Sequence, residues 1–420
     1  MKENINIIIK KGLFHIIGSN FCNKIIVFIA NIVLVRILSK AEFGIFTSAF
    51  NVFSVIFLFS GLGINNGMLY FCSQKRNIEN KREYYNYCFY YGNIINLILS
   101  GVMLLYGIVI KSGISEANTY IILLAGMPIV GFWYDYYAIV LRSQKENKKY
   151  AKLLNINTLL YALLAVIGSA IGGITGTIVG RYIAYLISAL IGKRYTSDYL
   201  NISDTQKRFI KLGDRKSLIS YSLKAGMSSA FNNILYLLDV YIIGIVIANA
   251  SILASYKVGA QIPENMNFIP QSIMVFILPL FIENANDSKW IKKKTKQLYI
   301  YMFSASLVIS VLLFVMAPMI ISVLWGKQYD DAVPCFRILS ISFLFLSAFR
   351  LTSTNILLSL GKAGYTLLVS IASGILNIFL DVFLTIKCGS IGAAYATLII
   401  TIVASLLSLP YVIYVVNKKH

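Results

Sequence analysis

Lys24, Lys224, Lys257 and Arg350 stand inside stretches of sequence that are otherwise almost wholly apolar. An ionised group in such surroundings is costly unless it faces water or a partner. A buried cation suits an anion, and a phosphate above all, because charge-assisted hydrogen bonds to phosphate oxygens are strong. Lys224 and Lys257 lie near the ends of their stretches, where the stem can snorkel to an interface. Lys24 and Arg350 lie nearer the middle and are the stronger anion candidates. Asp135, Asp239, Glu264 and Asp381 are the embedded acids. Each can carry a proton or a cation, since burial favours the neutral carboxyl. For any single one, the counter-ion of an embedded Lys or Arg is the more economical reading. Asp239 and Glu264 are the candidates for coupling to an ion.

Spacing groups these residues with neutral polar ones. At 100° per residue, Asn20, Asn23, Lys24 and Asn31 share one helix face. So do Lys224, Ser228, Asn232, Tyr236 and Asp239; Lys257, Gln261, Glu264, Asn265, Phe268 and Gln271; and Ser347, Arg350 and Thr354. One reading is that four helices turn these faces into a hydrated cavity. Asn20, Asn23, Asn232 and Gln261 would then offer amides to a hydroxyl-rich ligand. The other is that they are helix–helix hydrogen bonds and local ion pairs. Pro263, Pro270 and Pro279 share the third polar stretch and predict a bent helix there.

Signals for catalysis are weak. There are two histidines, His15 near the start and His420 at the end, and no P-loop or metal-ligand spacing. The five cysteines are dispersed. Cys335 and Cys388 both fall in turns on one side and are able to pair, although bystander thiols are the better reading. The chain reads as neither an enzyme nor a cofactor-binding protein.

The elements that must position these residues follow from hydropathy. Of 420 residues 58% are hydrophobic and 13% charged, with a mean hydropathy of +0.73. Soluble chains run near 45–50% apolar and about 25% charged. Apolar segments fall at about 13–35, 44–71, 87–110, 119–141, 153–172, 176–192, 218–247, 254–282, 298–324, 336–358, 366–386 and 392–416. Most approach or exceed the roughly 18–20 residues needed to cross a bilayer as a helix. The run from 13 to 35 is too long for a signal-peptide core. The fifth and sixth segments are separated only by Gly172–Thr175, a plausible tight turn. Alternating sides place 27 of the 38 Lys and Arg on one face and 5 on the other. Positive charge is retained in the cytoplasm, so both termini are expected inside. The net charge of +21 is therefore a topology signal that also suits anionic lipid head groups. It gives no support to nucleic-acid binding. The expected fold is an all-α integral membrane protein of about twelve transmembrane helices. Its expected organisation is a bundle over 1–192, a cytoplasmic linker over 193–217 and a bundle over 218–420. Six spans per half make any repeat parallel. "GGITGTIVGRYIA" (172–184) and "CGSIGAAYATLII" (388–400) are a trace of one.

Several motifs then resemble one family. "VRILSKAEFGIF" (35–46) resembles the R-x-L-x-x-x-x-F/Y-G signature of polysaccharide repeat-unit (Wzx-type) flippases, of the multidrug/oligosaccharidyl-lipid/polysaccharide exporter superfamily. "SGLGINNGMLYF" (60–71) is similar to the family's second-span ending, although Tyr70 stands where a basic residue is frequent. The stretch from Asp239 to Ile262, "LWGKQYDDAVPCFRILS" (324–340) and "GSIGAAYAT" (389–397) also match in order and spacing. The resemblance implies two six-helix bundles around a central, often cationic cavity. It implies alternating access that carries an undecaprenyl-diphosphate-linked oligosaccharide from the cytoplasmic to the outer leaflet of a bacterial inner membrane. The product would feed O-antigen or capsule assembly, with a polysaccharide polymerase as a downstream partner. On this reading Lys24, Arg350, Lys224 and Lys257 hold the diphosphate, and Asn20, Asn23, Asn232 and Gln261 meet sugar. A multidrug exporter of the same superfamily, a membrane glycan polymerase and a non-transporting scaffold are the rival readings.

Overall fold

The structure, a computed structural model, describes residues 13–74, 78–200 and 212–418. Lys2, Lys10, Lys11, Lys75, Arg76, Lys419, His420 and the 201–211 part of the linker lie outside the described residues. So do the side chains of His15, Asn20, Asn232 and Tyr236. Among the described residues every regular element is helical.

The first half contains α1 (Leu13–Ile37), α2 (Lys40–Phe57), α3 (Ile64–Ser73), α4 (Ile78–Leu105), α5 (Ala117–Leu124), α6 (Met127–Ser143) and α7 (Asn147–Tyr195). The second contains α8 (Leu212–Val246), α9 (Ala250–Asn265), α10 (Phe268–Glu283), α11 (Ser288–Leu324), α12 (Val333–Phe345), α13 (Thr352–Ser359), α14 (Ala363–Cys388) and α15 (Ser390–Lys418). All twelve apolar segments coincide with helix. Seven helical stretches are long and apolar enough to cross a membrane, and an eighth if α5 and α6, bent by 43°, count as one.

Local chemistry sets the boundaries. Ser39 begins α2 with a capping box: its hydroxyl accepts from the Glu42 amide while the Glu42 carboxylate accepts from the Ser39 amide. This satisfies donors that a helix start otherwise leaves unpaired. The expected bend in the eighth segment is present, as a break at Met266–Asn267 between α9 and α10. Pro263 and Pro270 flank it, and each lacks the amide needed to continue the ladder.

The 49-residue α7 is too long for one crossing, about 74 Å at 1.5 Å per residue. It is a hairpin. Gly172 (φ −138°, ψ 25°) and Gly173 (φ 56°, ψ −134°) leave helical geometry, and the second conformation is open in practice only to glycine. The two legs then touch backbone to backbone. A methyl group on Gly168 or Gly176 would strike the other residue's carbonyl, and one on Gly180 would strike that of Leu164. The same device recurs 216 positions later. Gly389 turns with φ 63° and ψ −147°, and Gly392 lies against the Leu384 carbonyl as Gly176 lies against Gly168.

The chain divides into two compact units, Met1–Leu237 and Leu238–His420. In the first, α7 packs against α1 and α6. In the second, α14 packs on α15, and α12 packs on α9, α11 and α15. The burial pattern is that of a membrane protein. Along α14, Ser373, Asn377, Asp381 and Thr385 are buried, whereas Leu368, Phe379 and Ile386 are each more than three-fifths exposed. With lipid outside, the apolar face needs no cover and the polar face must find partners within. Cys335 is buried, Cys388 is exposed and both are free thiols.

Candidate functional site

In the second unit four helices bring their polar residues together. Asp239, on α8, has an Oδ2 that accepts from the Tyr256 hydroxyl of α9 at 2.6 Å and from the Thr397 hydroxyl of α15 at 2.8 Å. On α14, Asn377 donates to Asp381 Oδ2 at 2.8 Å. Asp381 faces Asp239. Its side chain is 0% exposed and its Oδ1 has no hydrogen-bond partner. The Gly389–Gly392 hairpin makes the cluster possible, because close contact of α14 with α15 lets Thr397 join the acids. Among the described residues neither carboxylate forms an ion pair. Two carboxyl groups in one dry site cannot both stay charged without a cation or a proton between them. Carboxylate, amide and hydroxyl oxygens are a hard donor set, suited to a proton or a small monovalent cation.

The other candidates fall as follows. Lys257 pairs with Glu264 at 3.4 Å, with both side chains more than a third exposed. Gln261, between them on α9, is buried with an unpartnered Nε2. Arg350 lies half-buried in a π turn (Leu346–Leu351) that the Thr352 hydroxyl reinforces by donating to the Ser347 carbonyl at 2.9 Å. Such widened turns are frequent at functional positions. Lys24 and Lys224 are exposed residues of the first unit, and Asn23 is half-buried there. Asn20 and Asn232 belong to α1 and α8, and their side chains are outside the description.

Sequence reading names Asp381 among the embedded acids but does not join it to Asp239, nor Asn377 and Thr397 to either, because its polar stripes are built around basic residues. The signal was present: Ser373, Asn377, Asp381 and Thr385 recur every four positions on one face. Arg181 is buried, its guanidinium 4.8, 4.3 and 4.5 Å from the ring centres of Phe46, Phe50 and Tyr161. Cation–π stacking on three faces offsets much of the cost of burying the charge.

Helices long and apolar enough to cross a bilayer, with exposed apolar faces and buried polar residues, define a multi-pass membrane protein. The chain belongs to the family of polysaccharide biosynthesis proteins, which it matches over residues 33–334. No curated protein sequence matches it. Among solved structures it is similar to the lipid II flippase MurJ in an inward closed conformation (TM-score 0.74, 14% identity), covering 94% of this chain and 87% of that one. It is also similar to an inward-facing multidrug resistance MATE family transporter of the MOP superfamily (TM-score 0.73, 13% identity), covering 94% and 95%. At these identities the likeness establishes the fold.

Proposed function

We propose that the protein is a flippase moving an undecaprenyl-diphosphate-linked oligosaccharide from the cytoplasmic to the outer leaflet of the bacterial inner membrane, for O-antigen or capsule assembly. The observation that carries this reading is a match to a polysaccharide-biosynthesis family by a chain with a transporter fold. Lys24 and Arg350, with Lys224 and Lys257, are proposed to neutralise the diphosphate, whose charge no apolar lining would tolerate. Asn20, Asn23, Asn232 and Gln261 are proposed to meet sugar hydroxyls. Asp239 is proposed as the ion-coupling residue, now with Asp381 beside it. Glu264 shares that assignment less strongly, because Lys257 already neutralises it. Alternating access supplies the cycle, both termini stay cytoplasmic, and a polysaccharide polymerase takes the product.

A second reading, multidrug export, is favoured by the likeness to the MATE transporter and by the buried acid pair. Deleting the gene separates the two. Loss of surface polysaccharide, with completed lipid-linked units accumulating on the cytoplasmic leaflet, supports the flippase. Unchanged polysaccharide with altered drug sensitivity supports the exporter and overturns the flippase reading.

A further inference from the structure

The first unit contains a second polar feature, remote in sequence from every embedded charge except Lys224. The start of α3 and the first half of α8 meet at glycines. A methyl group on Gly63 would strike the Ser222 carbonyl, and one on Gly67 would strike the Ser222 hydroxyl. This close approach fixes two helix walls. Beyond it they open into a cavity of about 530 Å³, within the ~300–1,000 Å³ typical of small-molecule sites.

Its lining is neutral and mixed. Tyr70 and Tyr221 stack at 4.3 Å with their planes 19° apart, and Phe71 meets both edge-on. Each tyrosine therefore has one ring face covered by the other, yet Tyr70 stays 47% and Tyr221 37% exposed. Around them stand Asn66, Ser73, Gln74 and Ser229. Among the described residues none of the lining side chains carries a charge, so the lining itself offers neutral polar and aromatic groups. Flat aromatic surface beside amides and hydroxyls fits one ligand class well. A pyranose ring presents C–H groups on its faces, which pack on an aromatic ring. Its hydroxyls around the rim both donate and accept, as amide and hydroxyl side chains do.

We infer that this cleft is a saccharide subsite, engaging a neutral sugar ring of the lipid-linked glycan while the diphosphate is held elsewhere. The inference rests on the flippase reading and adds to it the residues that would recognise sugar rather than phosphate. Tyr70 and Tyr221 form the stacking platform, and Asn66, Gln74 and Ser229 bond the hydroxyls.

The test is direct binding to the purified full-length chain in nanodiscs. The probes are undecaprenyl diphosphate alone and undecaprenyl diphosphate bearing N-acetylglucosamine, N-acetylgalactosamine or glucose. The wild type should hold at least one sugar-bearing probe about tenfold more tightly than the bare diphosphate, equivalent to ~1.4 kcal/mol. Tyr70→Ala and Tyr221→Ala should abolish that preference and leave affinity for the bare probe unchanged, while Tyr70→Phe keeps most of it. Ser229→Trp, which fills the cleft without removing a packed group, should act like the alanine variants and covers the case in which those fail to fold. Equal wild-type affinity for bare and sugar-bearing probes would overturn the subsite and leave the flippase reading standing. So would sugar preference that survives in well-folded Ala and Trp variants. Failure of the wild type to bind any probe would remove both.

Discussion

Asp381 and Asp239 illustrate how the environment decides what a carboxyl group is for. Glu264 has Lys257 3.4 Å away and is accounted for as half of an ion pair. Among the described residues the hydrogen-bond donors to Asp239 and Asp381 are the neutral Tyr256, Thr397 and Asn377, and neither carboxylate is in an ion pair. On the proposed reading such a pair is a place for a mobile cation. Asp381→Asn keeps shape and removes the charge, so the fold should persist with an unchanged or higher melting temperature. The dependence of that temperature on pH or added Na⁺ should disappear, and glycan export should fall by roughly 5- to 150-fold, the span of a typical coupling free energy. A variant with wild-type export and an intact cation response would refute the assignment. The Lys257–Glu264 pair makes a contrasting case. Glu264→Ala should lower the melting temperature by leaving Lys257 unpaired, whereas the swap Lys257→Glu with Glu264→Lys should restore it. Export that stays lost in the swapped protein would show that Lys257 does more than balance Glu264. Embedded residues were identifiable from sequence because charge stands out in an apolar run. Their partners were not, since pairing depends on which helices meet.

At the scale of elements, the two glycine hairpins carry the clearest correspondence between the halves. Gly173 and Gly389 turn alike, and the positions flanking them are in register at an offset of 216. The chemistry on the shared frame differs. Tyr161, Ala165 and Arg181 in the first hairpin stand where Asn377, Asp381 and Thr397 stand in the second. One frame thus buries a fixed cation among Phe46, Phe50 and Tyr161, and the other buries two acids. A tethered guanidinium fills its site permanently, whereas the acid pair of the second unit, on the proposed reading, is able to exchange an ion. The hairpin itself allows a sharp test on adjacent residues. Gly173→Ala forces a side chain into a conformation that costs ~1–3 kcal/mol. Gly172 has φ −138° and open space about its Cβ position, so Gly172→Ala should stay within about 0.5 kcal/mol. Thermal melts of the two purified variants measure the difference, and equal melts would mean that the turn relaxes. Hydropathy located all twelve helical segments and this turn, because burial in lipid imposes length and composition directly. It did not reveal which glycine bears the strained geometry, and although the prolines predict a bend in the eighth segment, it did not place the break between Pro263 and Pro270. Those depend on backbone angles that composition does not encode.

For the whole molecule, the distribution of charge makes a claim about orientation that the helices alone do not. Each half carries its basic residues on alternate loops, and retention of Lys and Arg in the cytoplasm would place both termini and the 193–217 linker inside. That assignment makes the short turn at Cys388 external, together with the loop around Ser115. Cys22 and Cys388 are exposed, whereas Cys72, Cys88 and Cys335 are buried, and Cys22 lies inside the first apolar segment, so a Cys22→Ser protein keeps Cys388 as its exposed reporter. A membrane-impermeant maleimide applied to intact cells should label that Cys22→Ser protein, and adding Cys388→Ser should remove the label. Ser115→Cys, added to this doubly substituted background, should restore it, because Ser115 is exposed in the loop before α5. Asp198→Cys, exposed in the linker, should react only after the membrane is opened. The opposite pattern, with Asp198→Cys labelled from outside and Ser115→Cys protected, would invert the topology. It would also reverse the leaflet from which an anionic lipid-linked substrate enters, since the cytoplasmic side is where such substrates are assembled on this proposal.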